Sequence, residues 1–200
     1  LAEHTALSIG NRRLVNALQG MANTDARTGL PNSRSFDEAV ESVMSRADHG
    51  RTDAILMLDL DHFKEFNDRF GHPGGDEALR TFGGILRATV RDGDLVARYG
   101  GEEFAVFLLG VDAAGAVEIA ERIRTRTEET TILVGPGTSA RITVSIGVAI
   151  SPIDGADRLT LLKAADQALY RAKQAGRNQV SGRVAATTDG DRPRALDASA

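Results

Sequence analysis

Arg98-Tyr99-Gly100-Gly101-Glu102-Glu103-Phe104 separates two short runs, residues 94–99 and 104–109, both rich in β-forming side chains and close enough to pair. The pattern predicts a β-hairpin with a tight glycine turn, in which glycine supplies a positive φ without steric cost. A bare glycine backbone also lets a bulky ligand lie against it. Glu102 and Glu103 repel each other and suit a plain hairpin poorly unless a cation neutralises them. The stretch therefore points to a metal and a polyanion.

Around this hairpin, 200 residues with 42% hydrophobic content can bury one sizeable core. The formal charge of −4 supplies no electrostatic argument for a nucleic-acid partner. The chain has no cysteine, which excludes a disulfide framework and a zinc–thiolate site and suits a reducing cytoplasm. No run approaches a membrane span and no signal peptide is evident. The chain begins at Leu1 rather than Met and reads as a fragment of a longer protein, whose upstream part could hold a sensor or a membrane anchor.

Residues 1–24 repeat in sevens, with His4, Asn11 and Leu18 at one core position and Leu7, Leu14 and Met21 at the other. This fits a helical stalk that pairs as a coiled coil, an amphipathic helix, or a frayed terminus. Thr24-Asp25-Ala26-Arg27-Thr28-Gly29-Leu30-Pro31-Asn32 then breaks the chain, and a helix follows from Ser33 to about Ala47, with Phe36, Ala39, Val40 and Val43 at helical spacing. Ala54-Ile55-Leu56-Met57-Leu58 is an unbroken apolar run of strand length ending in Asp59-Leu60-Asp61. Such a run fits a central strand covered on both faces, with its acids at the sheet's open end, where they can hold a hard cation. Asp61, two residues beyond Asp59, belongs to the same face and is a further candidate by position.

Phe63, Phe66 and Phe70 share one helical face, and Lys64 and Asn67 share another, free to meet a ligand or solvent. Gly71-His72-Pro73-Gly74-Gly75-Asp76 is a second glycine-dense turn, with Asp76 placed to cap the helix that runs on to about Val90. Arg91-Asp92-Gly93-Asp94 leads into the hairpin, and its Arg and Asp could simply pair with each other. A helix over about 113–128 turns Val117, Ile119, Ala120 and Ile123 inward. Gly135-Pro136-Gly137 reads as a loop, residues 141–150 alternate as a strand, and residues 158–175 form a last helix burying Leu159, Leu162, Ala165, Leu169 and Ala172. Lys173 and Arg177 carry positive charge near its end. The order of elements predicts an α+β domain over residues 25–181, with a ferredoxin-like mixed central sheet and flanking helices, and a disordered tail over 182–200.

Asp25 with Thr28-Gly29-Leu30-Pro31-Asn32, Asp59-Leu60-Asp61-His62-Phe63-Lys64 with Asn67-Asp68, Gly71-His72 with Gly75-Asp76, the Arg98–Phe104 stretch, Thr143-Val144-Ser145-Ile146-Gly147, and Ala165-Asp166 with Ala168-Leu169-Tyr170, Ala172-Lys173 and Gly176-Arg177-Asn178 occur in one order. Together they resemble the GGDEF-domain diguanylate cyclases, with their nucleotide-cyclase/polymerase-palm-like fold, over about residues 23–180. Asn32-Ser33-Arg34, in place of the more usual Asn-Arg-Arg, is a departure outside the chemistry.

The resemblance implies condensation of two GTP into cyclic di-GMP with release of two pyrophosphates, in a homodimer that brings two bound nucleotides head to head. It implies that Asp59, Glu102, Glu103 and the Leu60 carbonyl hold two Mg²⁺ or Mn²⁺ ions per active site, with Glu103 as ligand or proton acceptor, and leaves Asp61 out of the principal ligands. Asn67 and Asp76 match guanine contacts; Gly100 and Gly101 match the backbone that the nucleotide approaches. Lys64, Lys173 and Arg177 match phosphate contacts. Arg91 and Asp94, with Arg122 as a second contact, match an allosteric site at which cyclic di-GMP inhibits. A sensor or receiver domain upstream and a cytoplasmic location complete the expectation, with membrane attachment open through the upstream region. A non-catalytic nucleotide-binding module and a structural dimerisation domain are the alternatives; the intact acids favour an enzyme.

Overall fold

The computed structural model describes residues 23–46 and 50–182, so the expected stalk up to residue 22 and the expected tail from residue 183 lie outside the described residues. The elements in order are α1 (Ser33–Met44), β1 (Asp53–Leu60), α2 (Phe63–Thr89), β2 (Leu95–Arg98), β3 (Glu103–Leu108), α3 (Ala113–Glu129), β4 (Ile132–Gly135), β5 (Thr138–Ala140), β6 (Val144–Ser151), α4 (Arg158–Gln174) and β7 (Val180–Ser181).

All eight residues of β1 are buried. The main sheet has the order β2-β3-β1-β6-β7, so β1 is central as its apolar run predicts. β1 pairs antiparallel with both β3 and β6, and only the edge strand β7 runs parallel to its neighbour, which makes the sheet mixed. Side chains along β1 alternate between two cores. Leu56, Leu58 and Leu60 join Phe66, Phe82 and Leu86 of α2 and Ala120 and Ile123 of α3. Ile55 and Met57 join Phe36 and Val40 of α1 and Leu161, Ala165 and Leu169 of α4. Two helical layers thus enclose one sheet, the expected ferredoxin-like arrangement.

The α2 span is two helices joined at Gly71, where φ 72 and ψ 168 break the helical path. The second begins at once, with Pro73 in its first turn, where a missing N–H costs nothing. Asp76 is therefore inside the helix and is not the cap its position suggests. The last helix also differs in detail: Leu159 is exposed, and Leu161, Ala165, Ala168, Leu169 and Ala172 form the buried face. Gly135-Pro136-Gly137 is not an open loop but the turn of a small hairpin, β4–β5. β6 starts at Val144, three residues later than the alternation suggests.

Candidate functional site

The hairpin forms, with Arg98 opposite Phe104 and Ala97 opposite Ala105. Its turn closes through the Tyr99 and Gly100 N–H groups, which donate to the Glu103 carbonyl at 2.8 and 3.1 Å. Neither Gly100 nor Gly101 has a positive φ, contrary to expectation. Their contribution is space: a Cβ on Gly100 would lie 2.5 Å from Glu103 Oε2, and Gly101 faces a region with nothing within 4 Å.

A clamp the sequence reading did not foresee fixes this turn. Arg98 is buried, donates from Nε to the Gly101 carbonyl at 3.1 Å, and pairs with Asp25 at 2.8 Å. Asp25 also accepts from the Thr28 N–H and hydroxyl at 2.9 and 2.8 Å. Burial raises the Asp25 pKa, but these hydrogen bonds and the Arg98 charge outweigh it, and the net shift is downward. The loop at 25–30 and the hairpin turn are one braced unit.

The acids meet at the end of the sheet. Asp59 on β1 is opposite Glu103 on β3, and the Leu60 N–H donates to the Glu102 carbonyl at 3.3 Å. Burial pushes the Asp59 carboxyl up, against Lys173, whose Nζ lies 2.8 Å from Asp59 Oδ2. Glu102 is also pushed up, first by burial and then by the Asp59 charge, with Glu103 and Glu65 adding to it. One lysine does not cancel this concentration of negative charge. A cleft of about 500 Å³ opens beside it, lined by Glu103 and the α4 side chains Asp166, Tyr170 and Lys173.

Carboxylates and a backbone carbonyl are hard oxygen donors and fit Mg²⁺ or Mn²⁺. Among the described residues no three acidic or histidine side chains form a cage for an ion by themselves. That suits Mg²⁺, which takes one or two carboxylates and completes its shell with water and substrate phosphates. Asp61 is otherwise engaged, accepting from the Thr143 and Ser145 hydroxyls at 2.7 Å each and from the Asn178 N–H at 3.0 Å. These bonds occupy it in holding α4's C-terminal turn to β6.

Asn67 packs against Gly75, where a Cβ would fall 1.9 Å from Asn67 Oδ1, so Asn67 and Asp76 belong to one neighbourhood. Asp76 Oδ1 is paired with Arg27 Nε at 2.9 Å, a contact that no local sequence pattern signals. Lys64 and Arg177 are exposed. Arg177 is near enough for its charge to lower the Asp59 pKa, whereas no described contact ties Lys64 to the acids. On the far side of the hairpin, Arg91, Asp94 and Arg122 line one cavity of about 110 Å³. There Arg91 and Asp94 do pair, at 3.6 Å, while Asp94 accepts from the Leu109 N–H at 3.1 Å and Arg122 donates to the Thr89 carbonyl at 2.9 Å. Among the described residues no helix is long and apolar enough to cross a membrane.

The fold and the site define an α+β domain with a mixed ferredoxin-like sheet, acids at the end of its central strands and a glycine hairpin beside them. The chain belongs to the GGDEF family: the family model described as "Diguanylate cyclase, GGDEF domain" matches residues 22–179. The response regulator PleD of Caulobacter vibrioides is 42% identical over 167 residues, which are 82% of this chain and 37% of PleD. Diguanylate cyclase A of Treponema denticola is 37% identical over 185 residues, 90% of this chain and 48% of that protein. The chain thus spans less than half the length of these curated relatives. Among solved structures, the coiled coil and GGDEF domain of DgcB from Caulobacter crescentus, in complex with c-di-GMP, superposes with a TM-score of 0.83 at 32% identity, covering 92% of this chain and 97% of that one.

Proposed function

We propose that residues 25–181 are a diguanylate cyclase domain that condenses two GTP into cyclic di-GMP in a homodimer. The observation that carries this reading is the meeting of Asp59, Glu102 and Glu103 beside Lys173 at the end of the central strands, in a chain of this family. Each ribose 3′-hydroxyl attacks the α-phosphorus of the other nucleotide. A P–O bond forms, the α–β P–O bond breaks, and pyrophosphate leaves.

Asp59, Glu102, Glu103 and the Leu60 carbonyl are the proposed holders of two Mg²⁺ or Mn²⁺ ions. Such ions lower the pKa of an attacking hydroxyl and neutralise phosphate charge. Glu103, its carboxylate kept over the turn by the missing side chain at Gly100, is suited to accept the hydroxyl proton. Lys173, Arg177 and Lys64 meet the phosphates by charge-assisted hydrogen bonds. Were phosphate to draw Lys173 from Asp59, the carboxylate would be free to hold such a cation. The Asp76 carboxylate accepts from N1–H and the exocyclic amine of guanine, a donor pair that adenine lacks, with Asn67 beside it. Gly100 and Gly101 leave the backbone open to the nucleotide.

Arg91, Asp94 and Arg122 form the proposed inhibitory product site, since arginine pairs with guanine by two hydrogen bonds. The c-di-GMP held by the DgcB relative supports product binding. Control by an upstream sensor or receiver domain, with the cyclase acting in the cytoplasm, completes the proposal.

Concentrated protein with GTP and Mg²⁺ should yield cyclic di-GMP by chromatography, with none from ATP and none from Glu102→Ala. No product despite GTP binding in calorimetry would move the reading to a nucleotide-sensing module or an unassembled dimer. Product inhibition is tested apart: an Arg91→Ala variant that cyclic di-GMP still inhibits refutes the proposed inhibitory site.

A further inference from the structure

The Arg27–Asp76 pair takes no part in the proposed condensation. Arg27 belongs to the braced loop at 25–30, which Asp25 ties to Arg98 and thereby to the hairpin turn. The same loop lies along one face of α2: Thr28 Cβ and Leu30 Cδ1 are each 3.4 Å from where a Gly83 Cβ would stand, and Arg87 reaches the Gly29 carbonyl. Asp76, two helical turns before Gly83, continues that face. Arg27 is thus carried on a rigid mount to the proposed guanine carboxylate. It contacts Asp76 through Nε, which leaves the other N–H donors of the guanidinium for a further acceptor.

We infer that Arg27 is a base-specificity residue that donates to O6 of the guanine held by Asp76; this rests on the assignment of Asp76 to guanine. In guanine, O6 is adjacent to N1–H, and N1–H is adjacent to the amine. A carboxylate that accepts from N1–H and the amine therefore has O6 beside its N1 end. A guanidinium already bound to one oxygen of that carboxylate is in position to donate to O6. Each carboxylate oxygen has two lone pairs, so Asp76 can keep Arg27 and accept from the base together. Asp76 and Arg27 then read all three groups on that edge, and adenine, with an amine at C6, meets donor with donor.

The test is calorimetric binding of nucleoside diphosphates with Mg²⁺, since they bind without completing the condensation. Arg27→Leu should weaken GDP and IDP, which both retain O6, by about tenfold, the loss expected for one charge-assisted hydrogen bond. The penalty should shrink for 6-thio-GDP, whose sulfur is a poor acceptor, and Arg27→Gln should recover part of the loss for GDP. Equal binding of GDP by Arg27→Leu and wild type would overturn the inference. So would an equal penalty for GDP and 6-thio-GDP, which would mean that Arg27 only positions Asp76. If the wild type binds ADP as well as GDP, the guanine assignment beneath it fails instead. Arg27 is more than half exposed, so its replacement should leave the melting temperature unchanged.

Discussion

Gly147 gives the sharpest stability prediction because α4 rests directly on β6 there. An alanine Cβ at this position would lie 2.1 Å from the Ala165 carbonyl oxygen and 2.2 Å from the Leu169 nitrogen, both backbone atoms that no rotamer change can move. Ordinary contact requires the helix to retreat by more than about 1 Å. That retreat loosens Leu161, Ala165 and Leu169 against Ile55 and Met57. Overpacking against backbone belongs at the upper end of the usual range, about 3 kcal/mol. For a domain of this size the midpoint should fall by about 6–12 °C, read by circular dichroism. Lys173 on the same helix would draw away from Asp59, so Mg²⁺-dependent GTP binding should weaken in parallel. A Gly147→Ala protein melting within about 2 °C of wild type would refute the tight helix–strand contact on which this rests.

Gly75→Ala is the contrasting case. Its Cβ would meet side chains alone, the end of Asn67 at 1.9 Å and the Phe63 ring edge at 3.3 Å, so the cost of a small shift there should be offset by about 0.5–1 kcal/mol from helix propensity and stability should nearly hold. Displacing Asn67 should weaken GTP about five- to tenfold in calorimetry, and full affinity would remove Asn67 from the base site. Asp61→Ala strands the Thr143 and Ser145 hydroxyls and the Asn178 N–H; a loss of about 3 kcal/mol in urea unfolding is expected, and an unchanged midpoint would contradict its bracing role. The lowered pKa of Asp25 makes its contribution pH-dependent. A depressed folded-state pKa adds stability above the unfolded value, near 3.8, that is lost as pH falls through the folded one. Wild type should therefore exceed Asp25→Asn by about 1–3 kcal/mol at neutral pH and lose that advantage progressively below pH 3.8, whereas a gap constant down to strong acid would rule the ion pair out as its source.

What the sequence made legible was local. Residues 54–58 announce a central strand because an unbroken apolar run can be satisfied only by cover on both faces, and β1 has it. The β4–β5 hairpin escaped because its strands are three and four residues long and Gly135-Pro136-Gly137 dominates their composition. In α4, Leu159, Leu161 and Leu162 are close together, and both Leu159 and Leu161 can start a helical stripe. The stripe through Leu161, Ala165, Ala168 and Ala172 is chosen by the small residues that fit against β6, a tertiary fact. The candidate acids were legible as a cluster, since Asp59 lies at the end of one strand and Glu102-Glu103 at the start of another. Their braces were not: Arg98–Asp25 and Arg27–Asp76 join segments far apart in sequence, and neither partner's own neighbourhood signals the other.

The balance of charge at the strand ends follows from these braces. Placing Asp59 opposite Glu103, with Glu102 adjacent, opposes like charges across paired strands, which is unfavourable in a sheet. At Glu102 the Asp59 and Glu103 charges add to burial in pushing the carboxyl up, whereas at Asp59 burial is the main cause of the upward shift. The pairing persists because it is fixed from elsewhere: β1 is fully buried, Arg98 grips the turn through Gly101 and Asp25, and Asp61 ties β1 to β6 and to the turn after α4. None of these contacts uses the carboxylates of Asp59, Glu102 or Glu103. The scaffold therefore holds three acids near one another without neutralising them, and in the proposed reaction Lys173, on a separate helix, is the cation that phosphate would draw away. A site whose acids were bound by their own braces could not exchange partners in this way.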